Sequence, residues 1–512
     1  MKLEKDLIPV KLINFVFQAG MACFVPYKAL FQKQLGLSPA QNGIIQSIEK
    51  ALTLVAPPVI GGIADKFSRH KFTLNACILA SVAFTLPMYF VPSIKESSQA
   101  LACCFQKPHL CYTTEQNFSL NCNYKNLSQD ISNCSNSMNQ DDMYTCKFTP
   151  GNSSQETATM NCTDNSTMFC EQKEVKSLLD IYGKTFGIML GLTIFYAAAF
   201  SPIQPLIDAT VMNMLGDGRM HKYGNQRLWG SIGFGIVAFA MGFLADVITP
   251  STEQNDKNYL ACFIGAAVFG ILATFVSHWL KVPALKKPSM LKGAKQLLTN
   301  AQILLFLLVI LTSGMLLGVK YAFVFWYAES LPGSSQSILG LSILLGSATE
   351  IPAFFVSGKV SNVIGDDLIL YFGLLVASLR CFLYTVLTSA WQLLLVESLH
   401  GLSFAFPMAA MCSKSAALAP AGMTATLIGL TQGVYWGLGN MLGALFGGFI
   451  FESLGAVMMF RIFAAIGGFV SVMFTTIYVI RSLCSGSKPD EEKKVETNID
   501  EAIPLAKTQA NV

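Results

Sequence analysis

Seven ionisable side chains stand inside stretches that are otherwise apolar: Glu49, Asp208, Lys320, Glu350, Arg380, Glu397 and His400. A charge at the centre of a bilayer costs about 2.5–3.5 kcal/mol even on lenient insertion scales, so each needs a partner or a water-filled cavity. Their spacing puts several in company. On a helix, Glu397 and His400 are three residues apart and can touch; Gln46, Glu49 and Thr53 share one face, as do Gln204 and Asp208. Asn14 and Gln18 line one face of the first apolar stretch. Carboxylates and an imidazole held in such surroundings can load and release a proton, or hydrogen-bond a polar solute. Glu350, Arg380, Glu397 and His400 form the candidate coupling centre, with H+ as the candidate ion. Glu49, Asp208, Asn14 and Gln18 are candidate solute contacts. The alternative is a fixed salt-bridge network that locks helices together. Lys320, toward one end of its stretch, is expected to snorkel in a structural role. Tyr27, Phe325, Trp326, Tyr327 and Trp436 offer aromatic surface for stacking on a sugar ring, or an interfacial belt.

The elements that must hold these residues follow from composition. The chain of 512 residues is 52% hydrophobic and 13% charged, with a mean hydropathy of +0.48. Soluble domains carry about 25% charged residues, and a membrane span needs about 20 apolar ones. Spans are expected at 8–31, 42–64, 72–93, 180–214, 226–248, 257–279, 302–328, 337–357, 367–388, 390–414, 424–450 and 456–481. The expected fold is thus an all-α membrane protein with twelve transmembrane helices. Lys and Arg concentrate in alternate connections, at Lys66, Arg69, Lys71, Arg219, Lys222, Arg227, the five lysines between 281 and 295, Lys359 and Lys414. By the positive-inside rule these face the cytoplasm, and so do both termini. A net charge of +4 gives no reason to expect nucleic acid as a partner. The sequence holds no P-loop, no Gly-x-Ser-x-Gly and no H-E-x-x-H. It therefore implies no enzyme, no ATP-driven pump on its own, no metal and no resident cofactor.

Residues 94–178 break the pattern as a polar insertion on the outer face. The sequons at Asn117, Asn126, Asn133, Asn152, Asn161 and Asn165 all fall here, marking glycosylation sites. So do eight of the fourteen cysteines: Cys103, Cys104, Cys111, Cys122, Cys134, Cys146, Cys162 and Cys170. In an oxidising compartment they read as disulfides of open connectivity, with zinc as the rival. With few large apolar residues, the segment depends on such bridges rather than on a core.

The remaining chain is doubled. Gly62 follows the start of the first span by 54 residues, and Gly358 follows the start of the seventh by 56. The fifth span (230–246) and the eleventh (433–450) are both glycine-rich, which lets helix backbones approach closely. The expected parts are 1–93 (helices 1–3), 94–178 (the insertion), 179–280 (helices 4–6), 281–300 (an inter-half loop), 301–482 (helices 7–12) and 483–512 (a disordered tail). Two six-helix halves joined by a basic loop describe a secondary transporter.

The stretch GGIADKFSRHK, 61–71, resembles the loop 2–3 signature of the major facilitator superfamily. The resemblance implies a latch made by Gly62, Asp65 and Arg69, the aspartate meeting the opposite half near Thr424; a plain positive-inside anchor is the alternative. VPYKALFQKQLGLSPAQNGIIQSIE (25–49), LIDATVMNML and KYGNQRLWGSIGFG (within 206–235), EIPAFFVSG (350–358) and ESLHGLSFA (397–405) resemble one branch, the domain-containing protein 6 and 6-like group. That group is related to lactose-permease-like sugar symporters, which implies the major facilitator fold and a Glu, Arg, His and Glu set in spans 8 to 10. The expectation is a transporter of a small polar, sugar-like solute in the plasma membrane, by alternating access with proton symport. The competing expectation is a surface receptor or adhesion protein whose bundle displays 94–178 to an extracellular protein partner.

Overall fold

A computed structural model describes residues 7–67, 69–93, 183–215, 223–249, 257–280, 300–420 and 423–484, with seven strands between 100 and 173. Asn126, Asn152, Asn161 and Asn165, the side chains of Asn117, Asn133 and the eight insertion cysteines, the Asp65 side chain, most of the inter-half loop and the tail from 485 lie outside the described residues. The chain divides into two units, Met1–Val91 with Met189–Val512, and Pro92–Ile188.

The smaller unit, which contains the insertion 94–178, holds seven strands that the sequence reading did not expect. Its strands are β1 (Ala100–Cys104), β2 (Cys111–Tyr112), β3 (Asn117–Phe118), β4 (Leu120–Cys122), β5 (Ser132–Asn136), β6 (Met143–Thr149) and β7 (Thr167–Lys173). They pair antiparallel in one sheet of order β3-β2-β1-β7-β6-β5-β4. MYTCKFT and TMFCEQK contain Thr, Tyr and Phe, residue types that favour strands. Register sets Cys103 opposite Cys111, Cys122 opposite Cys134 and Cys146 opposite Cys170.

The larger unit is helical. Its first half holds α1 (Ile8–Gln34), α2 (Pro39–Phe67), α3 (His70–Met88), α4 (Lys184–Phe200), α5 (Ile203–Leu215), α6 (Tyr223–Ile248) and α7 (Leu260–Ser277). The second half holds α8 (Ala301–Ala328), α9 (Gln336–Ile364), α10 (Asp366–Tyr384), α11 (Leu393–Glu397), α12 (Phe406–Leu418), α13 (Thr424–Gln432) and α14 (Asn440–Cys484). Among the described residues ten helices are long and apolar enough to cross a membrane, or eleven if one bent pair is a single span. Large exposed apolar side chains such as Phe72, Phe275, Trp279 and Phe469 suit a lipid surround.

Three boundaries differ from expectation, each for a physical reason. The stretch expected as one span at 390–414 is broken, with Ala390–Glu397 and Gly401–Leu418 bent by 44°. Between them Gly401–Ala405 forms a π turn; Pro407 has no N–H to donate to the Ser403 carbonyl, so the regular turn cannot close. The last two expected spans run together as Thr426–Arg481, 56 residues, which as one straight helix would reach about 84 Å. Gly455 divides them with φ 82 and ψ 163, a conformation open almost only to glycine. Gly358 and Lys359, expected in a turn, lie inside α9, and Lys66 sits in the last turn of α2. There its charge complements the helix dipole.

In the first half α1 packs on α6 and α7, and α3 on α7; in the second α14 packs on α8 and α10. The halves meet where α6 lies on α9 and α2 on α14. Gly455→Ala is expected to cost about 1–3 kcal/mol through its strained φ. Gly62→Ala, helical with nothing within 4 Å of a new Cβ, should stabilise by up to about 1 kcal/mol. Thermal unfolding in detergent micelles checks both signs.

Candidate functional site

The second half gathers its intramembrane charges around one carboxylate. Glu397, at the end of α11, takes Lys320 Nζ of α8 at 3.0 Å and Arg380 Nη2 of α10 at 2.8 Å on the same oxygen. Its other oxygen accepts the Tyr384 hydroxyl at 2.5 Å. Arg380 Nη2 also donates to that hydroxyl at 3.2 Å, and Nη1 donates to Ser403 Oγ at 2.7 Å. His400 Nδ1 lies 3.2 Å from Arg380 Nη1 and 3.4 Å from Lys320 Nζ. Lysine and arginine only donate, so Nδ1 is the acceptor and the imidazole proton sits on Nε2. Arg380, Tyr384, Glu397 and His400 are buried, and Arg380 Nε is buried with no hydrogen-bond partner.

The break follows directly after Glu397, and Ser403, which accepts from Arg380, lies in its π turn, a feature frequent at functional sites. The Gly401 amide donates to Thr349 Oγ1 at 3.3 Å, tying the turn to α9 beside Glu350. A second π turn, Gly433–Gly439, carries Tyr435 and Trp436. His400 stacks on Phe404 at 5.0 Å, and Phe404 meets the Trp436 edge at 5.8 Å. A hollow beside the cluster is lined by Ser313, Lys320, Arg380, Tyr384, Ser403 and Tyr435.

Glu350 links this cluster to the first half. Ser231 of α6 hydrogen-bonds its carboxyl, and Arg227 of α6 and Lys320 of α8 are close enough to act on it electrostatically. Arg227 in turn pairs with Asp208 of α5 at 3.7 Å. Gln204 Nε2 donates to Asp208 at 2.8 Å, and Gln18 Nε2 donates to Gln204 Oε1 at 3.0 Å. Polar side chains thus run as contacts from Gln18 through Gln204 and Asp208 to Arg227 and from Lys320 through Glu397 to Arg380, with Glu350 between the two groups in their electrostatic reach and the charges alternating in sign. Tyr321, 42% exposed, lies beside it near both Glu350 and Glu397.

Other sequence candidates sit elsewhere. Glu49 is buried in the first half against Lys28 and takes Lys50 at 3.0 Å. Asn14 turns back to its own helix, donating to the Val10 carbonyl at 2.9 Å. Tyr27 is fixed on the Ala238 carbonyl at 2.5 Å. Gly62 is open, and Arg69 and Thr424 are exposed. Lys320, expected to snorkel, turns inward instead, because Glu397 offers it a charge that lipid does not. Tyr384, Ser403 and Arg227 had no place among the sequence candidates. Gly401 and Pro407, both following His400, were the available sign of a bent helix.

The family profile described as MFS_1 like matches residues 7–462. The chain belongs to that family. It is thus a member of the major facilitator superfamily of membrane transporters, and not of an enzyme family. It is 20% identical to major facilitator superfamily domain-containing protein 6-like protein A of Xenopus laevis, over 90% of this chain and 88% of that one. It is 24% identical to a maltose permease of Geobacillus stearothermophilus, over 54% of this chain and 68% of the permease. A solved structure of the nucleoside transporter NupG shares the fold, with a TM-score of 0.65 at 14% identity, covering 92% of this chain and all of that one.

Glu397→Gln leaves Lys320 and Arg380 without their shared counter-charge, and removing one partner of a buried ion group costs about 3–5 kcal/mol. The unfolding temperature of the purified protein should fall accordingly. Adding Lys320→Met to that variant should restore part of the loss, a non-additivity that a double-mutant cycle measures.

Proposed function

We propose that this protein is a secondary transporter that carries a small polar solute by alternating access between two six-helix halves. The reading counts twelve spans, taking the two helices that meet at Gly455 separately and the bent pair as one. The observation that carries it is the alternating charge row, which crosses from α6 to α9 at Glu350. Each charge in it has a partner, yet one joint lies between bodies that can move apart. If α6 swings away from α9, Glu350 loses Arg227 and Ser231 and keeps Lys320. A proton on Glu350 would stand in for the lost cation, which ties proton binding to the position of the halves. In this reading the conserved quantity is charge balance, and H+ is the coupling ion.

A hydroxyl-rich solute of sugar or nucleoside type suits the hydroxyls of Ser313, Ser403 and Tyr435 once the small hollow that they line widens as the halves move. The names of the maltose permease and the nucleoside transporter point the same way. The proposed membrane is the plasma membrane, with both termini in the cytoplasm and 94–178 outside, glycosylated and disulfide-bonded. The receptor reading has no comparable observation in its favour.

Protein reconstituted in liposomes should accumulate one of a panel of labelled sugars and nucleosides when the pH gradient is imposed. Glu350→Gln should reduce that accumulation at least about tenfold while leaving solute exchange without a gradient, as loss of a coupling group requires. Unchanged accumulation in the variant would remove the coupling role, and absence of flux for every solute would remove the transport reading. Cross-strand register also supports bridges Cys103–Cys111, Cys122–Cys134 and Cys146–Cys170. Peptide mapping without reductant should recover those three pairs.

A further inference from the structure

Two contacts between the halves, at the end of the helical unit away from the chain termini, are copies of one another. In α6 a Cβ on Gly242 would lie 2.2 Å from the Gln336 carbonyl oxygen; in α14 a Cβ on Gly448 would lie 2.7 Å from that of Pro39. The opposing helices answer in kind. Gly340 of α9 would meet the Ala238 carbonyl at 2.7 Å, and Gly43 of α2 would meet that of Ala444 at 2.6 Å. One turn beyond each of the first two glycines stands a carboxylate. Asp246 accepts the Gln336 amide at 3.1 Å, the Ser337 amide at 2.7 Å and the Ser337 hydroxyl at 2.6 Å. Glu452 accepts the Ala40 amide at 2.9 Å and the Ser38 hydroxyl at 2.7 Å.

The equivalence is positional as well as chemical. Ala238, Gly242 and Asp246 map onto Ala444, Gly448 and Glu452 by one constant shift of 206 positions. Pro39, Ala40 and Gly43 map onto Gln336, Ser337 and Gly340 by another, 297. Each carboxylate thus caps the first turn of a helix in the other half, where free amides and the dipole favour an anion. The glycines bring the backbones close enough for that reach. Lys33 adds an ion pair across the halves, to Glu329 at 2.8 Å, and Lys257 lies 3.5 Å from Asp246.

We infer that Asp246 and Glu452 are a matched pair of latches that hold this end of the unit shut and release in a single step. Each latch closes one of the two long contacts between halves, α6 on α9 and α14 on α2. A half that moves as one body cannot open one contact while the other stays capped. The inference rests on the reading of two moving halves, but it concerns a closure that exists without any solute.

Hydrogen exchange of the full chain in lipid nanodiscs, read by mass spectrometry, tests it. Asp246→Asn should speed exchange about fivefold in 334–346 and equally in 37–48, a segment whose helix Asp246 does not cap. Glu452→Gln should do the same to both segments. Faster exchange confined to 334–346 in the first variant and to 37–48 in the second, or no change in either, would overturn the coupled release. Faster exchange in α10 as well would mark general unfolding of a variant. In that event Ser337→Ala, which removes one hydroxyl donor, carries the test: its effect must reach 37–48. Because no solute is present, a chain inert in liposomes would leave this result standing.

Discussion

A carboxylate shared by two cations, in a place that lipid surrounds, governs the second half of this molecule. Glu397 could not stay charged there alone, and neither could Lys320 or Arg380. Three helices, α8, α10 and α11, each bring one charge to the same place. Directly after Glu397 the span bends by 44°, and the π turn at Gly401–Ala405 carries Ser403 to Arg380. The hydroxyls of Tyr384 and Ser403 bond Glu397 and Arg380, while Arg380 Nε stays without a partner.

The two halves meet that requirement differently. In the first half Glu49 is enclosed with Lys28 and Lys50, all on α1 and α2. Motion of one half against the other leaves that group intact, so it fits a structural role. In the second half the cluster holds two cations to one carboxylate, and the balance comes from Glu350, whose remaining partners belong to the first half. With Glu350 counted, the second half carries two cations and two carboxylates, and contact with α6 adds Ser231 and Arg227 beside Glu350.

Much of the architecture was legible in the sequence because a span must exceed a fixed length and exclude charge, a demand that few other segments meet. Glu397 and His400 were legible as a pair because their spacing alone places them on one face. Lys320 was not, since a lysine toward the end of an apolar helix reads the same whether it reaches for a headgroup or for a carboxylate 77 positions on. Tyr384 and Ser403 are too ordinary in apolar helices to stand out before the fold gives them neighbours. The sheet in 100–173 was hidden by composition: sequons and cysteines drew the reading toward a bridged loop and away from the Thr, Tyr and Phe of β6 and β7.

The doubled pattern carries more than the span count. Glycine-rich fifth and eleventh helices were visible as a repeat, but a repeat of small residues shows only that backbones come close. The carboxylates one turn further on give that closeness a direction, since an anion favours a helix start and not a helix end. Each half contributes one anion and receives the other, so neither contact is the master. The central row has no such symmetry, with its cluster in one half and its joint to the other at Glu350. A closure built twice and a charge centre built once divide the work between them: the repeat sets how the halves meet, and the departure from it sets what their meeting senses.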